Sequence, residues 1–176
     1  MEMEPDDQED SQSWVKPLVT IDPTTGLLNA YGWLAFAKRH LKRAVYSQQR
    51  LGLVFLRVQN FARLKAELGP QAAEATMQQV ADALQGLVRP GDLLGRWRDD
   101  DFIILLPYVD AGTIEQIAER LGQGIRRKAL MVENHLFPLT VVTSGASLIV
   151  TRGELNELDT LLAEGERRLV AGAERR

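Results

Sequence analysis

Apolar residues recur along this chain at two alternating periods, helical and extended, and the switches between them mark its elements. From Tyr31 to about Ser47, Leu34, Ala37, Leu41, Ala44 and Val45 follow helical spacing, and Lys38, Arg39, Lys42 and Arg43 include members of the opposite, solvated face. The run from Ile21 to Asn29 that precedes them is rich in turn and cap residues, so it predicts where that helix begins. Leu51 to Gln59 is short and β-rich, which predicts a buried central strand. Phe61 to Leu68 reads as one or two helical turns ended by Gly69. Pro70 then suits the first position of a helix striped by Met77, Val80, Ala81, Leu84 and Leu87.

Two apolar runs, Leu93–Trp97 and Phe102–Leu106, flank Arg98-Asp99-Asp100-Asp101 and predict a β-hairpin with an acidic tip. Asp tolerates left-handed backbone angles better than most residues, so it can serve in such a turn without glycine. Asp110 is placed to cap a helix whose Ile114, Ile117, Ala118, Leu121 and Ile125 share one side. Strands follow at Leu130–Val132 and Leu136–Val150, the second long enough for a bend or bulge near Gly145. A last helix runs from about Glu154 to Ala173. Helices alternating with strands, plus an internal hairpin, imply an α/β sandwich with a mixed sheet covered by helices.

The 176 residues suffice for one domain with its own core. Met1 to Ser13 carries six acidic and no basic side chains and no apolar periodicity, so it reads as a disordered tail, with the domain spanning 14–176. Without that tail, 24 acidic groups become 18 against 21 basic ones, too mild a positive balance for a duplex-DNA footprint. Cysteine is absent, which excludes disulfides, thiol nucleophiles and cysteine-based zinc sites and suits a reducing compartment. No apolar run approaches the roughly 20 residues of a membrane span, and the acidic start lacks the basic flank of a signal peptide. The expectation is a cytoplasmic protein with no membrane insertion and no nucleic-acid partner. A chain that starts with Met and its own tail favours a stand-alone protein or a native amino terminus.

Several segments together resemble the GGDEF family of diguanylate cyclases and their degenerate relatives. Asp22-Pro23-Thr24-Thr25-Gly26-Leu27-Leu28-Asn29 is similar to the family's D-x-L-T-G-L-x-N opening. Arg89-Pro90-Gly91-Asp92 precedes Arg98-Asp99-Asp100-Asp101-Phe102 by five residues, and this pentapeptide occupies the signature position. Ala118-Glu119-Arg120 falls in register behind it. The resemblance implies a five-stranded mixed sheet flanked by helices, akin to polymerase palm and nucleotidyl cyclase domains, with the signature on a hairpin tip.

Against the family pattern, the catalytic positions depart together. Joining two GTP molecules needs carboxylates that hold Mg²⁺. Where the family has L-D-x-D-x-F, this chain reads Leu56-Arg57-Val58-Gln59-Asn60-Phe61, so Arg57 stands at a metal-binding aspartate. A guanidinium cannot ligate a cation, and it could instead neutralise Asp100 or Asp101 across the sheet. Lys65 and Ala66 replace the family's Asn-Asp pair, whose asparagine reads guanine, and Glu74 replaces the aspartate that assists it. The two signature glycines are Arg98 and Asp99, which add bulk and negative charge beside an anion. Leu169-Val170-Ala171-Gly172-Ala173 resembles L-Y-x-A-K loosely, with Ala173 at the phosphate-contacting lysine. The resemblance therefore implies no catalytic residues and no Mg²⁺. The run Asp99–Asp101 reads either as a solvated turn without chemistry or as a residual site for a metal or GTP.

One family site is reproduced. Arg89-Pro90-Gly91-Asp92 matches the R-x-x-D motif of the inhibitory site, which binds cyclic di-GMP. Arginine can donate to guanine O6 and N7, while a carboxylate accepts from N1–H and N2–H. Counting from the signature, the further arginine of the following helix is Arg120. Another, on the helix before the central strand and reaching a neighbouring domain, is Arg43. The bland alternative is a turn salt bridge between Arg89 and Asp92, worth about 0 to 1 kcal/mol. The expectation is a catalytically inactive cyclic di-GMP receptor, acting as a homodimer or docked to a signalling protein. Its rivals are a scaffold that binds no nucleotide and a residual cyclase or GTP binder. His40 and His135 lack ligand-spaced partners, Trp33 and Trp97 fit a core or rim, and Arg126-Arg127-Lys128 reads as a solvated helix end.

Overall fold

The computed structural model describes residues 20–127, 130–132 and 135–174. The expected tail and the Trp14–Val19 segment lie outside the described residues. The elements in order are α1 (Ala30–Tyr46), β1 (Arg50–Val58), α2 (Phe61–Leu68), α3 (Pro70–Gln85), β2 (Leu93–Arg96), β3 (Asp101–Pro107), α4 (Ile114–Arg127), β4 (Leu130–Val132), β5 (His135–Phe137), β6 (Val141–Ile149) and α5 (Leu155–Glu174). The periodicities above therefore locate each helix and strand to within a residue or two, except in the last β segment.

β1 is the axis of the domain. Its apolar run is buried on both faces, and it pairs antiparallel with β3 on one side and β6 on the other. Alternation sorts its side chains between two layers. Leu51, Leu53 and Phe55 pack with Trp33, Ala37 and Leu41 of α1 and with Leu158, Leu161 and Leu169 of α5. Leu56 packs on the opposite side with Leu64 of α2 and Met77, Val80 and Leu84 of α3, while Val54 meets Ile114, Ala118 and Leu121 of α4. Arg57 continues the set that faces α1 and α5, directly opposite Asp101 in the register.

Among the described residues, the main sheet has four strands in the order β2-β3-β1-β6, all pairs antiparallel, with β4 and β5 forming a separate two-stranded ribbon. The expected α/β sheet flanked by helices is present; among the described residues its parallel element is a single bridge between Leu28 and Gly95 rather than a fifth strand, where the Arg96 amide donates to the Leu28 carbonyl at 2.8 Å. A Cβ on Gly95 would lie 2.9 Å from Trp33 Cδ1, so no larger residue fits that bridge. The segment expected as one strand from Leu136 to Val150 breaks at Pro138, which cannot donate to a ladder. No bulge forms at Gly145. It pairs in register with Val54, and its missing side chain lets the first turn of α4 approach, since a Cβ would stand 3.0 Å from the Ile114 carbonyl oxygen. Asp110 contributes its carbonyl, accepting from the Thr113 amide and hydroxyl ahead of α4. Among the described residues no helix is long and apolar enough to cross a membrane.

Candidate functional site

The hairpin tip closes without left-handed residues, because Trp97 and Arg98 donate their amides to the Asp101 carbonyl at 2.8 and 3.3 Å and no residue of the tip has positive φ. Asp tolerance of such angles, expected from the sequence, is not used. Asp101 is 1% exposed, and both of its carboxylate oxygens accept from Arg57, Oδ1 from Nε at 2.6 Å and Oδ2 from Nη2 at 2.7 Å. A cross-strand position on one sheet face brings the two together, so a fork-to-carboxylate pair is the geometry this register dictates. The hydrogen bonds that Arg57 donates to Asp101, working against burial, raise its guanidinium above its ordinary value. Of the two carboxylates offered by the sequence, the partner is Asp101. Asp100 stays half-buried, its carboxyl pushed up by burial and then by the adjacent Asp101 charge.

Around this pair the carboxylates of Asp22, Glu74 and Glu166 are likewise engaged by arginines. Arg96 is 6% exposed and donates through Nη1 to Glu74 Oε2 at 2.8 Å and Asp22 Oδ2 at 3.3 Å. Its Nη2 reaches Glu74 Oε1 at 3.2 Å and the Asp99 carbonyl at 2.7 Å. Hydrogen bonds from Arg96, against burial, hold Glu74 below the usual carboxylate range. Burial pushes Asp22 up, but the Thr25 hydroxyl and amide and the Arg96 charge outweigh it and leave it lowered. Arg98 extends to Glu166 of α5 at 2.7 Å, where Trp97 Nε1 also donates at 3.1 Å. Lys65 is exposed on α2, and Ala173 is half-buried near the end of α5. Arg96 and Glu166 are the site residues that sequence reasoning missed. Their partners are remote in the chain, and the one signal for Arg96 was its place between the opening Asp22 turn and the tip.

A second cleft lies at the other end of β2 and β3. It is lined by Arg89, Asp92, Pro107, Tyr108, Ile117 and Arg120, among others, so the structure brings the R-x-x-D residues and Arg120 to one wall. The Asp92 carboxylate accepts from the Arg89 amide at 2.8 Å, and the Asp92 amide donates back to the Arg89 carbonyl at 3.0 Å, with Gly91 supplying φ +98°. Burial pushes the Asp92 carboxyl up, against the Arg89 and Arg120 charges. Among the described residues neither guanidinium has a carboxylate within 4.0 Å, so the turn is closed by backbone rather than by a salt bridge. Arg43 does not join this wall. It is exposed on α1, and a role toward a neighbouring domain is not one a single chain displays.

A palm-like sheet with helices on both faces and an acidic hairpin tip is the class these features define. The profile described as "Diguanylate cyclase, GGDEF domain" matches residues 19–172, and the chain belongs to that family. It is 29% identical over 59% of its length to the diguanylate cyclase DgcP of Pseudomonas aeruginosa. That alignment covers 16% of DgcP, so the chain spans about a sixth of this curated relative. The coiled coil and GGDEF domain of DgcB from Caulobacter crescentus, solved in complex with c-di-GMP, superimposes with a TM-score of 0.80 at 18% identity, covering 94% of this chain and 86% of that one. Diguanylate cyclase SiaD from Pseudomonas aeruginosa, solved with its activator SiaC, is 26% identical with a TM-score of 0.69, covering 90% and 62%.

Proposed function

We propose that this chain is a GGDEF domain without cyclase chemistry that serves as a receptor for cyclic di-GMP. The observation that carries the reading is the contrast between two sets of arginines. At the hairpin, Arg57 and Arg96 occupy all four oxygens of Asp101 and Glu74. In the second cleft, Arg89 and Arg120 flank Asp92 with no carboxylate partner among the described residues. Guanidiniums left without a carboxylate ion pair among the described residues, beside a half-buried carboxylate, suit a ligand that carries two phosphates and two guanines.

Asp101, as it is held here, does not fit Mg²⁺. That ion takes near-octahedral oxygen ligands at about 2.0–2.1 Å, whereas both Asp101 oxygens already accept from a cation that would repel it. Glu74, at the guanine-assisting position, is likewise held by Arg96 and is not free to accept from a base. Magnesium and GTP turnover are therefore no part of the proposal. The family likeness and the c-di-GMP complex of DgcB support the choice of ligand.

Calorimetric titration of cyclic di-GMP into wild type and Arg89→Ala tests the reading. Saturable binding by wild type at micromolar ligand, weakened in the variant, is the expected outcome. A wild type that takes up no ligand at those concentrations removes the receptor assignment. The rival is a docking or dimerisation scaffold, favoured by the exposed Tyr31 (65%) and Tyr46 (93%) of α1 and by the SiaD–SiaC complex.

A further inference from the structure

We propose that the cationic face of α1 is the docking surface for the chain's own acidic amino-terminal segment, residues 1–13. α1 holds no acidic residue, yet Lys38, Arg39, Lys42 and Arg43 stand exposed in i, i+4 pairs along two of its turns. Lys42 lines a shared cleft with Arg152, which precedes α5 and adds a fifth exposed cation. Among the described residues none of these five forms an ion pair, and Arg39 lies 5.1 Å over the Phe36 ring instead of on a carboxylate. Exposure alone does not explain this, because the exposed Arg63, Arg98 and Arg167 each hold a glutamate at 2.7 to 2.8 Å.

The matching anion is in the same chain. Glu2, Glu4, Asp6, Asp7, Glu9 and Asp10 supply six carboxylates with no intervening base. The described fold begins at Thr20, whose carbonyl accepts from the amide of Asn29, the residue that caps α1. Ten steps of the chain lead from Asp10 to Thr20, a reach of up to about 33 Å at about 3.3 Å per residue. The helix rises only about 20 Å from Ala30 to Arg43, so the whole face is within range. Single exposed pairs contribute little, but tethering presents the segment at an effective concentration on the order of millimolar, where several weak pairs suffice. The proposal stands whether or not the Arg89 cleft binds a nucleotide.

The chain has no cysteine, so Gln8→Cys carries a single nitroxide label for paramagnetic NMR on the full chain. At about 0.01 M salt, where the screening length is roughly 30 Å, the amides of Lys38–Arg43 and Arg152 are expected to lose most of their intensity. They should recover at about 1 M, where it falls to roughly 3 Å. Neutralising the segment (Glu2→Gln, Glu4→Gln, Asp6→Asn, Asp7→Asn, Glu9→Gln, Asp10→Asn) should abolish the loss while leaving the other amide shifts of the domain in place. Loss centred elsewhere, loss that persists at high salt, or no localised loss overturns the proposal. So does broadening seen only when spin-labelled chain is mixed with separately isotope-labelled chain, which would assign the segment to a second copy.

Discussion

Replacing Arg57 with Ala removes both donors from a carboxylate that the sheet leaves 1% exposed. Breaking a buried pair by deleting one partner costs about 3–5 kcal/mol, because the remaining charge is left uncompensated. Two observations lower that figure here. The Arg57 side chain is 22% exposed, so water can enter the vacated space, and Arg98 Nη1 already stands 4.0 Å from Asp101 Oδ2 and can close on it. A loss of about 2–3 kcal/mol is therefore expected, equivalent to a fall of about 4–12 °C in Tm for a domain of this size. Urea unfolding followed by circular dichroism measures it, with Asp101→Asn and the double variant completing a thermodynamic cycle. The double variant should lose much less than the sum of the single losses, since each single change already breaks the pair. An Arg57→Ala variant within about 0.5 kcal/mol of wild type, or strict additivity in the cycle, would refute the structural tie between β1 and the hairpin.

In the second cleft, Arg120→Ala should weaken cyclic di-GMP binding about tenfold or more, since a hydrogen bond to a charged group contributes about 1.5–3 kcal/mol; titration calorimetry reads this directly. Asp92 must be ionised to accept from guanine, and burial holds its pKa above the ordinary 3.8. Affinity should thus decline on acidification sooner than an ordinary aspartate would allow, and Asp92→Asn should remove that pH dependence. Fold stability runs the other way for this group, because a raised carboxyl is relieved as it protonates. Glu157 accepts from the amides of Thr151, Arg152, Gly153 and Glu154, which hold it at about 2 against an ordinary 4.5. Its stabilisation is present above pH 4.5 and lost as pH falls toward 2. Glu157→Gln should therefore lower Tm at neutral pH, with the difference from wild type closing over that window.

The sequence carried the order of the elements because each helix and strand has a consistent period and a visible stop, such as Gly69 before Pro70. It also carried the Arg57 pairing, since a cation on a buried strand must find a carboxylate and the tip supplies three. Which of these accepts depends on register: Arg57 faces Asp101 and not Asp100, a distinction of one residue that the β1–β3 alignment decides. Pro138 was the available sign of the break in the last β segment, but the apolar run on both sides masks it. Arg96 was less accessible, because Asp22 and Glu74 are 74 and 22 residues away in the chain and meet it only in the folded domain. The backbone closure of the Arg89–Asp92 turn was equally hidden, as a salt bridge and an amide-to-carboxylate bond satisfy the same four letters.

Arg57→Asp alone should not create a cyclase, because Lys65, Arg98 and Ala173 still stand where the family resemblance implies base and phosphate contacts. The most direct test of the proposal that cyclase chemistry is absent is incubation of the wild-type protein with GTP and Mg²⁺ or Mn²⁺, followed by chromatographic detection of product. A guanidinium seated on Asp101 predicts that no cyclic di-GMP forms with either ion. Measurable synthesis would contradict it and return this hairpin to the enzymes.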